Sequence, residues 1–253
     1  MARAPTSWYP AYGEVAVLVG MSVAYGLALR VHPASRLRVA SFAAAMLVIL
    51  AVMVTPLGTL ALEYHLWAHL VQNVALAEWA PALVVAGLSP GMASALARFR
   101  VVRVLTHPLV ALPLWSASYV VWHVPPLYDA ALEHHLLLHL EHVSYFATGC
   151  LLWWSVFQES PRRLSPGAKA AYLFAAFIFA SPLGLLLALL PSPLYDFYVD
   201  APRIWDLSPL GDQQLAGVVM AVSEAIVFFT AFAVFFVRFM AEEEATGEMH
   251  RGP

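Results

Sequence analysis

The chain has 253 residues, of which 61% are hydrophobic and 11% are charged, and its formal net charge is -3. Its mean hydropathy is +0.73, and a soluble globule of this size needs far more polar surface than such a composition supplies. The single cysteine, Cys150, also excludes a disulfide framework and a cysteine-based metal site. The composition therefore indicates a polytopic membrane protein.

Seven apolar runs follow one another along the chain. A helix that spans a bilayer needs about 20 mostly apolar residues, and the continuity of these runs favours helices over strands. The runs cover residues 13–29, 39–62, 64–88, 107–122, 135–157, 168–190 and 214–237. The sequence thus predicts an all-α polytopic membrane protein, in which residues 1–253 form a single domain with seven transmembrane helices.

Positive charge is concentrated on one side of these runs. Apart from Arg3 and Arg203, the Lys and Arg residues cluster around the connections between runs one and two, three and four, and five and six, or follow run seven. Because positive loops stay in the cytoplasm, residues 1–12 are predicted to be external and the C-terminus cytoplasmic. The polar tail, 239–253, is predicted to be disordered. No basic region is followed directly by an apolar one at the N-terminus, so no cleavable signal peptide is predicted.

Two of the runs carry polar residues that a membrane helix does not need for spanning. The third run begins YHLWAHLVQN, in which His65, His69 and Asn73 recur every four residues and so share one face at the outer end. Glu78 lies deeper and, at about 100° per residue, on the opposite side of the helix from His69. Glu224 lies near the middle of run seven. Ionisable groups at such depth usually face the bundle interior, so both carboxyls are candidates for a proton relay or for hydrogen bonds to metal ligands.

The connection between runs four and five is rich in histidine. Residues 122–142 read WHVPPLYDAALEHHLLLHLEH, in which His123 ends run four and two prolines stiffen the external turn. On the returning helix, His135, His139 and His142 recur at i, i+4 and i+7, which is the repeat of a single helix face. These histidines are therefore predicted to lie at the external side of the membrane, at the same depth as the start of the third run.

This concentration of imidazoles predicts a metal site at the outer face. Seven of the ten histidines fall in the outer half of the third, fourth and fifth runs. Imidazole suits Cu, Zn, Fe and Ni, so a transition metal is the leading inference. Asp129 and Glu141 supply acceptors that can orient the rings. The predicted ligands are His65, His69, His123, His135, His139 and His142.

Other interpretations stay open at this point. A single interfacial histidine is commonly only a hydrogen-bonded cap, and His69 opposite His139 offers bis-histidine ligation of a b-type haem in an electron-transfer subunit. Glu78 and Glu224, together with the histidines, suit a proton or cation transporter. The external segment 191–214 either folds over the outer face or lies on the interface through its aromatic residues. The sequence contains no nucleophile triad, phosphate-binding loop or nucleic-acid surface, so no catalytic residue is predicted.

Five phrases resemble a known family when they are taken in order. AHLVQN, THPLVA, WHVPPLYDAAL, HLEH and GDQQLAGVVM, between residues 64 and 220, are similar to those of the multi-span CtaG-type cytochrome c oxidase assembly proteins. The resemblance implies a bacterial inner-membrane assembly factor that handles copper for a haem-copper oxidase and contacts oxidase subunits or other assembly factors. It does not imply an enzyme.

The resemblance also assigns residues. The family's histidines fall on His69, His123, His139 and His142. Its acidic and amide residues at the start of the last span fall on Asp212, Gln213 and Gln214, for which a partner contact is expected. Asn73 stands where the family commonly has histidine, and residues 221–224 read AVSE where it commonly has tryptophan and a proline-glycine break.

Overall fold

The computed structural model describes residues 2–251, and the side chains of residues 2–246. Over those residues the regular secondary structure is helical and contains no strand, so the predicted all-α class is confirmed. The helices are α1 (Tyr12–Val31), α2 (Arg36–Val54), α3 (Pro56–Glu63), α4 (Leu66–Val74), a π-helical turn (Ala75–Trp79), α5 (Ala80–Gly87), α6 (Pro90–Leu96), α7 (Arg100–Leu105), α8 (Pro108–Trp122), α9 (Pro125–Glu133), α10 (His135–Phe157), α11 (Pro166–Leu189), α12 (Asp196–Asp200) and α13 (Pro209–Arg251).

Five helical stretches in the described part of the chain are long and apolar enough to cross a membrane. They are α1, α2, the continuous stretch Leu66–Gly87, α11 and α13. The two other predicted spans do not meet both conditions: α8 is apolar but has only 15 residues. Helix α10 has 23 residues, and its hydropathy is reduced by its histidines and Glu141. These five helical stretches indicate a membrane protein, whereas the number of seven transmembrane helices stays a prediction.

Proline divides the second apolar run into two helices. Helix α2 ends at Val54 and α3 begins at Pro56, which has no backbone N–H to continue the ladder. The Thr55 hydroxyl accepts a hydrogen bond from the Leu57 N–H at 3.3 Å and so caps α3. The chain therefore turns at this point.

The stretch from α4 to α5 is the centre of the bundle. It packs against α2, α10 and α13, while α8 packs on α10 and α11 packs on α13. Gly149 of α10 faces the π-helical turn, and a Cβ atom there would lie 2.3 Å from the Ala77 carbonyl oxygen. Gly217 makes a similar approach, because its Cβ would lie 2.4 Å from the Ala188 nitrogen of α11. Small residues thus bring α10 and α13 close to their neighbours, as is usual between membrane helices.

The last helix is longer than the sequence predicts. Helix α13 continues to Arg251, so residues 239–251 are helical where disorder is predicted, and residues 252–253 lie outside the described part. Alanine, glutamate and methionine are good helix formers, and extension of an existing helix avoids the cost of nucleation. The composition of the tail therefore does not prevent continuation of the span.

Candidate metal site

Three buried side chains from two facing helices converge near the end of the bundle that the sequence predicts to be external. They are His69 of α4 and Glu141 and His142 of α10, and one possible ligand atom from each lies within 4.8 Å of the other two. The His69 Nε2 atom lies 3.8 Å from Glu141 Oε1, and the two imidazole centroids are 6.2 Å apart. Among the side chains that the structure describes, this is the only such group of histidine, cysteine or carboxylate residues. We call it the outer cluster.

The hydrogen bonds of His69 fix which ring nitrogen can bind a metal. The Tyr198 hydroxyl lies 2.8 Å from His69 Nδ1 and donates its own hydrogen to the Ala61 carbonyl at 2.6 Å. Because the hydroxyl has only one hydrogen, it accepts from Nδ1–H. The lone pair of His69 is then on Nε2, which is buried without a partner and points towards Glu141.

Two further buried histidines show the same arrangement. His123 Nδ1 lies 2.8 Å from the Tyr119 carbonyl, and His65 Nδ1 lies 3.3 Å from Asp212 Oδ2. Both acceptors require a hydrogen on Nδ1, so each ring keeps its lone pair on Nε2, which is buried without a partner. A ring nitrogen tied to a carbonyl or carboxylate, with the other left free, is the usual condition of a metal-binding histidine.

Glu141 contributes the only carboxyl of the outer cluster. Its Oε1 atom accepts a hydrogen bond from Asn73 Nδ2 at 3.0 Å, and no Lys or Arg nitrogen lies within 4 Å of it among the described side chains. The sequence assigned Glu141 a supporting role, and the i,i+1 pair Glu141–His142 gave no sign of convergence. The structure places both side chains in the cluster because both are buried, with His69 and Asn73 of α4 beside them.

Tyr128 of α9 separates His123 from the outer cluster. Its ring centroid lies 5.3 Å from that of His69 and 5.7 Å from that of His123. Tyr128 also stacks on Tyr195 at 4.0 Å, and the Tyr195 hydroxyl donates to the His123 carbonyl at 3.2 Å. His123 is therefore a neighbour of the cluster across one aromatic ring, and not one of its three convergent members.

Asp129 holds segment 191–214 over this site. Its two carboxyl oxygens accept from the backbone N–H groups of Asp196 and Phe197, at 3.3 and 3.2 Å, at the start of α12. Burial raises the pKa of the Asp129 carboxyl, while these two N–H groups act in the opposite direction. Tyr195 and Tyr198 are both buried by this packing. Of the two placements left open for segment 191–214, the structure adopts the one in which the segment folds over this end of the bundle.

Asp212 and Gln213 are internal and not on the surface. Asp212 accepts from the N–H groups of Leu66 and Trp67, at 2.9 and 3.1 Å, and so caps α4 one turn before His69. Gln213 accepts from the Leu194 N–H at 2.6 Å. Both side chains are buried, which leaves only Gln214 exposed among the three residues predicted to contact a partner. The first two thus hold the site together within this chain.

His135 and His139 lie apart from the outer cluster, contrary to the prediction. His135 is exposed, and His139 has a half-exposed side chain whose Nδ1 lies 3.2 Å from Glu14 Oε1 of α1. The three histidines of α10 do share a face, but seven residues extend about 10 Å along a helix, and only His142 reaches the packed interior. His139 also does not face His69, the pairing expected for haem.

A groove of about 430 Å³ leads from the surface to His142. It lies between α1, α2 and α10, and it is lined mainly by apolar side chains. His139 and Glu14 border it, as do the thioether side chains of Met21 and Met53. Both ring nitrogens of His142 are without a hydrogen-bond partner, so this residue belongs both to the groove and to the outer cluster.

Glu78 and Glu224 form a separate buried polar group. Glu78 lies in the π-helical turn, and its Oε1 accepts from the Tyr119 hydroxyl of α8 at 2.7 Å. Glu78 Oε2 and both carboxyl oxygens of Glu224 are buried without a partner. Glu78 thus faces α8, whereas His69 faces α10 and α12, in agreement with the opposite directions predicted for them.

The fold and the site together define a helical membrane protein with a buried histidine–carboxylate cluster at one end of its bundle. The chain belongs to the cytochrome c oxidase caa3 assembly factor family, Caa3_CtaG, whose model matches residues 23–242. The resemblance predicted from the five phrases is confirmed, and the match extends beyond the residues that carried it. The description of this family names assembly of a caa3-type cytochrome c oxidase.

Curated relatives match a smaller part of the chain. Uncharacterized proteins of Mycobacterium bovis and Mycobacterium tuberculosis are each 29% identical over 121 residues, which is 47% of this chain and 18% of the relative. An uncharacterized protein of Mycobacterium leprae is 25% identical over 118 residues, or 46% of this chain and 18% of the relative. The chain therefore matches less than a fifth of the length of these relatives. No solved structure matches it.

Proposed function

We propose that this protein is a bacterial inner-membrane assembly factor that binds copper in the outer cluster and passes it to a haem-copper oxidase. Copper is the cargo of this process, and the protein is not an enzyme. The observation that carries the proposal is the convergence of His69, Glu141 and His142, buried, with both imidazoles offering a ring nitrogen that no other group uses.

The donor set fits a transition-metal ion. A buried carboxylate without a cation costs several kcal/mol, and a bound metal ion offsets that cost. Glu141 has only imidazole and amide neighbours, so the cluster supplies one negative charge and two neutral nitrogen donors. Imidazole suits Cu, Zn, Fe and Ni, and the family's description as a cytochrome c oxidase assembly factor favours copper among them.

The groove beside His142 supports a route for the cargo. The outer cluster is closed to solvent, and an ion that enters along the groove meets His139 and Glu14 first. Met21 and Met53 offer thioethers, which are soft ligands that suit Cu(I). Release to an oxidase subunit at the outer face then follows the same path in reverse.

Seven spans with an external N-terminus are part of the same proposal. Helix α10 is less apolar than the five long spans partly because of Glu141 and His142, which are buried and do not meet lipid. Helix α8 is about 22 Å long, and local thinning of the bilayer accommodates a short span. A phosphatase fused within residues 123–134 is expected to be active in cells, and one fused after residue 253 inactive. The reverse result would show the opposite orientation.

Metal analysis of the purified protein tests the site. We expect the wild-type chain to bind one Cu(I) per molecule, and the double variant His69→Ala/His142→Ala to bind none. The matched control is His134→Ala/His135→Ala, because both of these histidines are exposed outside the cluster. Wild-type stoichiometry in the first variant would refute the assignment, and a Soret band in the same samples would favour haem instead.

A test in cells addresses delivery. In a strain that depends on this protein, the His69→Ala/His142→Ala variant is expected to leave the haem-copper oxidase deficient in copper, while His134→Ala/His135→Ala supports normal assembly. If the cluster variant gives fully metallated oxidase at normal protein levels, the protein assists assembly by a route other than copper delivery.

A further inference from the structure

Two cations flank a single aromatic ring at the end of the bundle opposite the outer cluster. Lys169 Nζ, in the first turn of α11, lies 5.0 Å from the centroid of the Phe235 ring, and Arg238 Cζ of α13 lies 5.6 Å from it. No carboxylate oxygen lies within 4 Å of either cation among the described side chains. The nearby Glu159 is already paired with Arg163 at 3.5 Å. Among these side chains Lys169 and Arg238 thus make no direct ion pair, while Glu159 attracts Lys169 at longer range and Glu242 lines the adjoining pocket.

An apolar groove of about 700 Å³ ends at these cations. It runs between α10 and α13, and Lys169, Phe235 and Arg238 border it directly. Ile226 and Val234 lie along it, with exposed fractions of 63% and 47%. Because α13 is a membrane span, side chains exposed on this groove meet lipid and not water. The other lining side chains from the two helices are apolar or uncharged, and Glu159, which follows α10, is the one acidic residue among the described residues of the lining.

We propose that this groove is a specific binding site for an anionic phospholipid. The phosphate lies between Lys169 and Arg238, and an acyl chain occupies the apolar groove. Charge complementarity selects this occupant, because an uncharged lipid or an apolar helix from another protein would leave the two cations unpaired. Basic pockets between membrane helices on the cytoplasmic side are suited to anionic headgroups. The surplus of Lys and Arg at this end of the helices agrees with that location.

Native mass spectrometry and thermal unfolding in detergent test the headgroup. Phosphatidylglycerol is expected to remain bound to the wild-type protein and to raise its Tm, whereas phosphatidylcholine with the same acyl chains does neither. The variant Lys169→Gln/Arg238→Gln should bind phosphatidylglycerol about tenfold more weakly. The control Arg36→Gln/Arg98→Gln removes two exposed cations elsewhere and should bind as the wild type does. If both variants lost phosphatidylglycerol binding equally, the lipid would be responding to general surface charge, and the proposal would be overturned.

The groove itself is tested by a substitution that fills it. Ile226→Trp places a large side chain in the groove from an exposed position, so the fold should tolerate it. Val222→Trp is the matched control, since Val222 is 51% exposed on the same helix and does not line the groove. We expect only the first to displace phosphatidylglycerol. If inorganic phosphate stabilises the protein as well as the lipid does, or if Ile226→Trp binds lipid normally, the groove takes no acyl chain and the proposal fails.

Discussion

Two of the buried polar groups in the described part of the bundle differ in composition. The outer cluster combines two imidazoles with the carboxyl of Glu141, whereas the inner group consists of Glu78, Glu224 and the Tyr119 hydroxyl. Both groups include a residue of the central stretch Leu66–Gly87 and are closed to solvent. The two groups therefore share burial and differ in the chemistry of their side chains.

The difference lies in the donor atoms. Imidazole nitrogens with oriented lone pairs and one carboxylate suit a transition metal, while carboxyl and hydroxyl oxygens suit a proton or a hard cation. In the outer cluster, Tyr198 fixes the tautomer of His69, which is an arrangement that metal sites use. The inner group contains no nitrogen donor among its three side chains. Four predictions test whether the two groups are functionally distinct.

The largest effect is expected from removal of the carboxylate charge of the outer cluster. Glu141→Gln keeps the size of the side chain but removes the anion that faces the ion, so copper affinity should fall by about 100-fold or more. Glu224→Gln makes the same chemical change in the inner group and should leave the affinity within about twofold. Competition titration with a chromophoric Cu(I) chelator measures both. A comparable loss in the two variants would mean that the groups act as one site.

The second-largest effect is expected from acidification, which should weaken metal binding. Ligands bind a metal ion only in their deprotonated form, so the apparent affinity is expected to fall by up to about tenfold per pH unit for each proton that the outer cluster releases on binding. The same titration at several pH values, corrected for the chelator, measures the slope. In Glu224→Gln the slope should be unchanged, and a flat profile in the wild type would contradict the release of a proton from the outer cluster on binding.

Tyr198→Phe is expected to have a smaller effect, because the residue orients a ligand and does not bind the ion. Loss of its hydroxyl frees the Nδ1 atom of His69 and should reduce copper affinity by about tenfold. The control is Tyr25→Phe, which removes another buried hydroxyl, bonded to the Gly87 carbonyl at 2.8 Å away from the site. Both should lower stability by about 1 kcal/mol, but only the first should change affinity. Equal copper affinities in the two variants would show that the Tyr198 hydroxyl does not orient His69 for binding.

Gly149→Ala should affect stability and leave metal stoichiometry unchanged. The added methyl meets the Ala77 carbonyl where α10 crosses the π-helical turn, and overpacking of this kind costs about 1–3 kcal/mol. Gly26→Ala, where nothing lies within 4 Å, should be neutral or slightly stabilising. Thermal unfolding in detergent compares the two. A stable Gly149→Ala variant would show that α10 can shift without cost.

Local sequence patterns were sufficient to predict the class of the protein and the end of the bundle at which the candidate metal site lies. Continuous apolar runs have no other solution in a membrane than helices, because backbone polar groups there must be satisfied within the segment. The four-residue spacing of His65, His69 and Asn73 likewise placed them on one face, since helical periodicity is local. The five phrases of the resemblance were also sufficient to predict the family, because the order and spacing of such phrases are properties of the chain alone.

Which side chains meet depends on the tertiary packing. Spacing predicted His135 and His139 as ligands together with His142, but the register of α10 against α4 brings in His142 and Glu141 and leaves the other two near the surface. Tyr198 joins His69 from 129 residues away, and Asp212 caps α4 from 146 residues beyond Leu66. Such contacts depend on how helices pack and on where a loop folds back, and those are long-range properties that no local pattern encodes.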